Sequence, residues 1–155
     1  MIVFLLGVLF LVSEQASSSE VSPGLANEPI SFSPKPGTVV HLSVNQNAVT
    51  VTLISGAATT VERIDIETEK KVTARVADYN FDGYQDFSLS HLDDGMGTYR
   101  IYQIYVFSPA EKKFVQLKPS CGDEFINVTL SKPEQRRLFN SYFSDNGLKT
   151  CAVTY

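Results

Sequence analysis

Tryptophan is absent from the 155-residue chain, and cysteine, histidine and methionine occur only twice each. Two cysteines cannot build a zinc ribbon or a disulfide-dense mini-scaffold. Basic runs are missing as well. The 13 Lys and Arg residues are outnumbered by 17 Asp and Glu, for a net charge of −4. Phosphate contacts need clustered cations, so nucleic acid and anionic membranes are poor partners for such a chain. The sequence also lacks G-x-S-x-G, H-E-x-x-H and any glycine-rich phosphate loop, and nothing in it points to an enzyme. What is present is 43% apolar and 19% charged. That composition excludes disorder as the default, and the length suits one domain with a real core.

The first 18 residues read as a secretory signal. Ile2 to Val12 is an unbroken apolar run, too short at about 1.5 Å per residue to span a bilayer core of roughly 30 Å. Ala16-Ser17-Ser18 supplies the small residues of a cleavage site. No Lys or Arg precedes Lys35, so the usual cationic start is missing, and no Cys follows the run to carry a lipid anchor. Residues 19–37 hold Pro23, Pro29, Pro34 and Pro36 and are expected to form a linker. The domain is expected over 38–155, in a periplasmic or secreted protein.

From Thr38 onward the apolar period is two. Val40, Leu42 and Val44 alternate with polar residues, and so do Val49, Val51 and Leu53 after Asn45-Gln46-Asn47, which predicts a β-hairpin. Ile64 and Ile66, then Val72, Ala74 and Val76, then Phe87 and Leu89 continue the pattern. Tyr99 to Phe107 is apolar on both faces, as a central strand should be, and Lys113 to Leu117 returns beside it. The short connections favour antiparallel pairing. The expected class is all-β, an antiparallel meander (curved, by the resemblance drawn below), with one helical turn near 133–139 that starts at Pro133 and has Ser131 as a candidate cap.

One motif carries inorganic chemistry. Asp78-Tyr79-Asn80-Phe81-Asp82-Gly83-Tyr84-Gln85-Asp86 reads D-x-N-x-D-G-x-x-D. Oxygen side chains at positions 1, 3 and 5 of a tight loop can converge on a hard cation. Gly at position 6 permits the turn, position 7 offers a carbonyl and position 9 closes the shell. The expected Ca²⁺ ligands are Asp78, Asn80, Asp82, the Tyr84 carbonyl and Asp86. With Leu89 at position 12 and strand-like flanks the EF-hand pattern is incomplete, and a strand–loop–strand site is expected. Cys121 and Cys151, an even pair in an exported chain, are expected to form a disulfide. His41 and His91 read as incidental strand residues, and Asn127-Val128-Thr129 is a sequon only where the source glycosylates. The glycine-bearing stretch from His91 to Arg100 reads as a flexible, protruding loop, with Gly97, Thr98, Tyr99 and Arg100 as candidate partner-binding residues.

The segment from about Val72 to Phe114 resembles a family of bacterial periplasmic calcium-loop proteins. That family is similar to inhibitors of i-type lysozymes and includes immunity proteins against peptidoglycan-hydrolase effectors of a bacteria-killing type IV secretion system. The resemblance implies a sandwich-like or propeller-blade-like β fold and the calcium ligands already named. It also implies insertion of the loop into the enzyme's cleft, with Tyr99 in a sugar subsite and Arg100 against the acid/base glutamate. Gly95 and Met96 stand where the inhibitors' loop signature has Ser and Gly. Family members continue with further strands after a segment like Leu148 to Tyr155, which implies a truncated or minimal version here. The alternative is a calcium-binding adhesion module similar to single repeats of integrin-like propellers, although the loop occurs only once.

Overall fold

The computed structural model describes residues 29–155, so the expected signal and the first part of the expected linker lie outside the described residues. The chain is all-β and antiparallel, in two sheets. Strands β1 (Ile30–Phe32), β2 (Thr38–Asn45), β3 (Ala48–Ser55) and β4 (Ala58–Asp65) form the first sheet in sequence order. The second, strongly curled into a half-barrel, contains β5 (Thr73–Ala77), β6 (Asp86–Leu92), β7 (Arg100–Ser108), β8 (Lys113–Gln116), β9 (Phe125–Leu130), β10 (Arg137–Ser144) and β11 (Gly147–Thr154). Its order is β11-β10-β9-β7-β6-β5, and β8 pairs with β7.

The hairpin expected around Asn45-Gln46-Asn47 is present, with Asn45 opposite Ala48 and Val44 opposite Val49. The strand expected at Tyr99–Phe107 is β7, and it pairs with β6, β8 and β9. Alternation on β6 and β7 sends side chains to two cores. Phe87, Leu89 and Phe107 meet Val40, Leu42, Val49, Val51, Leu53 and Ile64 of the first sheet, so the sheets pack face to face. Ile104 and Tyr102 point the other way and join Tyr79, Phe125, Val128 and Leu138, around which the second sheet curls. The aromatic rings of the first core interlock, with Phe87 stacked on Tyr105 at 4.9 Å and edge-on to Phe114 at 4.8 Å.

Two expectations change. Residues 30–32 of the expected 19–37 linker are a strand, because Ile30–Phe32 pairs with Val40–Leu42 and seats Phe32 against the core. Pro29 and Pro34 flank that strand rather than interrupt it, as an edge strand allows. The helical turn near 133–139 is only a single 3₁₀ turn over Pro133–Gln135, ended by Arg136 at φ 49°. Arg137–Ser144 is a strand whose buried Leu138 belongs to the second core. Ser131 does not cap the turn: its hydroxyl accepts from the Arg137 N–H at 2.9 Å and donates to the Lys132 carbonyl.

Candidate functional site

Residues 78–85 connect β5 to β6, whose first residue is Asp86, and the 78–86 segment is organised by its own oxygen side chains. Asp78 accepts from the backbone N–H groups of Asp82 (3.2 Å) and Gly83 (2.9 Å). Asp82 accepts from the Tyr84 N–H at 2.9 Å and from the Asn80 side-chain amide at 2.8 Å. The Asn80 oxygen accepts from the Asp82 N–H at 3.3 Å. Gly83 sits at φ 90°, where a side chain would be strained, and Phe81 is held at φ 56°. The fifth member differs from the others. Asp86 is fully buried, and its two oxygens accept from the Tyr79 and Phe107 N–H groups at 2.8 Å each. Burial pushes its carboxyl up to about 7, against the pull of those two donors.

The donor set is all oxygen, as a hard cation requires. Asp78 and Asn80 are half-buried and Asp82 is exposed at the loop's mouth, while Asp86 lies beneath them within electrostatic reach of Asp78 and Asp82. Each carboxylate oxygen carries two lone pairs, so the backbone bonds leave acceptor capacity on every one. Among the described residues no three His, Cys, Asp or Glu side chains already converge as a metal cage. The loop fits Ca²⁺ by donor chemistry, with Asp86 turned inward in this conformation.

The second loop, residues 93–99 between β6 and β7, is pinned rather than free. The Asp93 carboxylate accepts from the N–H groups of Tyr99 (2.7 Å) and Gly97 (3.2 Å), and the Asp93 N–H donates to the Tyr99 carbonyl. These backbone donors, Tyr99 first, hold the Asp93 carboxyl below the usual range. Asp94 fastens the loop's base to the inter-sheet crossing by accepting from the Thr68 hydroxyl and the Glu69 N–H. The tip stands clear, with Met96 84% exposed.

The four candidate partner-binding residues do not share one role. Tyr99 is half-buried and meets Phe143 edge-on at 5.1 Å. Phe143 itself is 56% exposed, opposite the exposed Leu148 on β11. Gly97 supplies a donor to Asp93, and Thr98 is exposed beside it. Arg100 turns inward: its guanidinium reaches the Thr73 and Ser90 hydroxyls at 3.4 Å each, and its N–H donates to the Asn127 side chain. Phe143 could not be found from sequence, since it looks like any other strand aromatic. Asp93 and Asp94 could have been, as Asx residues at the start of a glycine-bearing turn.

Beside the base of this loop lies an open cleft of about 610 Å³. Asp65, Glu67, Asp93, Asp94, Asp123 and Glu124 line it, with Lys118 and His91 as its basic groups. The Cys121–Cys151 pair is bonded, with Cα atoms 6.7 Å apart. Asn140, fully buried, sits alongside, bonding to the Cys121 and Glu124 carbonyls and to the Ile126 N–H. His41 and His91 bond to the Ser31 hydroxyl and the Leu92 carbonyl respectively, and among the described residues no carboxylate bonds to either. Among the described residues no helix is long and apolar enough to cross a membrane.

Comparison with family models, with curated proteins and with solved structures finds no match for this chain.

Proposed function

We propose that this protein is an extracytoplasmic, calcium-stabilised inhibitor of a peptidoglycan hydrolase, acting as a binding partner rather than as an enzyme. The observation that carries the proposal is the aromatic pair formed by Tyr99, on an aspartate-pinned loop whose base lines an acidic cleft, and Phe143 on β10. A rigid, part-exposed tyrosine loses little entropy on binding and is the residue type that anchors interfaces. The acidic cleft and the net charge of −4 suit a basic partner and speed its encounter. The disulfide fits an oxidising compartment.

Within that scheme Tyr99 and Phe143 contact the enzyme, Gly97 and Thr98 shape the approach, and Arg100 is a positioning residue that fastens the loop to Thr73 and Ser90. A bound Ca²⁺ supplies positive charge to the 78–86 loop. Asp78, Asn80, Asp82, the Tyr84 carbonyl and Asp86 would hold it, far better tolerated together with the cation than as bare carboxylates. The test is muramidase lysis with and without purified protein, against enzymes of i-, g- and c-type and against a hydrolase encoded beside its gene. The expected result is loss of lysis at stoichiometric excess, restored by Tyr99→Ala and by Phe143→Ala. Full lysis by every enzyme, with no complex on sedimentation, would sink the proposal.

A further inference from the structure

A different part of the molecule carries an inference independent of the loops. Strand β4 is the outer edge of the first sheet and pairs only with β3, among the described residues. It is eight residues long, without proline, and its register with β3 runs unbroken from Ala48–Asp65 to Ser55–Ala58. Six consecutive residues, Ala58 to Arg63, are exposed whichever face they point to, so the second sheet does not overhang them. Val61 is 66% exposed. A long edge that no described residue covers is a template for another strand. The opposite edge, β1, is a three-residue strand flanked by prolines and offers no such template.

The residues on β4 identify the strand that fits. The two-residue turn makes Ser55 and Ala58 a hydrogen-bonded pair, so Ala58, Thr60, Glu62 and Ile64 direct their backbone groups to β3. Thr59, Val61, Arg63 and Asp65 direct theirs outward. A two-fold axis through Val61 then joins two copies of this edge in antiparallel register. Val61 faces Val61 of the second copy, Thr59 faces Arg63, and Thr60 faces Glu62, with six main-chain hydrogen bonds formed by the outward groups of 59, 61 and 63. Moving the axis to Glu62 or Arg63 sets like charges directly opposite, which is destabilising. Moving it to Thr60 forfeits main-chain bonds. Arg63 is also neutralised on its own strand by Asp65, at 2.7 Å. The Glu62 side chains remain diagonal neighbours, roughly 7–8 Å apart.

We propose that β4 is a self-association edge: two copies pair through it to form a continuous eight-stranded sheet, centred on Val61. A single strand edge falls below the roughly 1,200 Å² of a standard interface, so the dimer is transient, forming in the range of about 10 µM to 1 mM. The Glu62 diagonal makes association stronger in salt and in Glu62→Gln.

The test combines sedimentation velocity with residue-resolved amide exchange across that concentration range. The expected result is a shift from monomer to dimer mass, with exchange at Thr59, Val61 and Arg63 slowed in step with the dimer fraction, about twofold or more at the highest concentration, and no change at Thr60, Glu62 and Ile64. Val61→Pro, which deletes the central outward N–H at a position an edge strand tolerates, abolishes both effects. Val61→Lys keeps the N–H but opposes two like charges, and it gives the same loss should the proline variant fail to fold. A monomer at 1 mM, or a dimer whose protection falls on another edge such as β11, overturns the proposal.

Discussion

The two loops that flank β6 solve one problem in opposite environments. Each is closed by an aspartate whose carboxylate accepts two backbone N–H groups, Asp86 for residues 78–86 and Asp93 for residues 93–99. Asp86 is fully buried and reaches across to Phe107 on β7, so it joins loop to core. Asp93 bonds within its own loop at the surface. Burial pushes Asp86 up to about 7, while the backbone donors hold Asp93 below the usual carboxylate range. The same two-bond clamp is costly and global in one place, and solvated and local in the other.

The sharpest way to break this contrast is Asp86→Ala. It strands two buried N–H groups, those of Tyr79 and Phe107, and should cost about 2–5 kcal/mol. Urea unfolding with a lowered midpoint checks it, and Asp86→Asn, which keeps one acceptor, should fall between. Smaller is the effect of calcium. At 1 mM and a site of about 10⁻⁴ M affinity, linkage adds roughly 1.4 kcal/mol. EDTA should lower the melting temperature and Ca²⁺ restore it, with no difference in Asp82→Ala. Slower amide exchange under Ca²⁺ should be confined to residues 78–86 and spare 93–99.

Asp93→Ala should barely move global stability, because its carboxylate is solvated. It should speed amide exchange at Gly97 and Tyr99 about tenfold or more and weaken hydrolase binding. The smallest effect is a pH dependence. Asp93 has a depressed pKa in the fold, so its contribution is fully present above the unfolded value near 3.9 and is lost as pH falls through the lower folded value. Protection of the Tyr99 amide should hold to about pH 4 and decline below it, and Asp93→Asn should flatten that decline. A decline already complete at pH 5 would contradict the surface clamp.

Much of the fold was legible because period-two alternation is local. Val40, Leu42, Val49, Val51, Phe87 and Leu89 announce their buried faces in sequence, and all six lie in the first core. Ile30–Phe32 was hidden by its prolines, since three residues give too short a pattern to outweigh them. Arg137–Ser144 was obscured by a proline start and two arginines that read as a helical turn. The candidate site was legible as residue types only. D-x-N-x-D-G-x-x-D named five oxygen donors, yet which of them points at the mouth and which at the core depends on the Phe107 N–H, 21 residues away.

Composition and spacing alone determined the all-β class, the oxygen-only character of the 78–86 loop and the even cysteine pair. These follow from side-chain chemistry and from contacts between near neighbours. Only the tertiary structure decided that Asp86 is a buried tie, that Arg100 faces Thr73 and Ser90, and that Tyr99 meets Phe143, 44 positions along the chain. Among the described residues it also left Ala58 to Arg63 exposed on both faces. Those outcomes depend on where a curled sheet ends and what it fails to cover, which is fixed by strand pairing between distant segments and leaves no mark on the residues concerned.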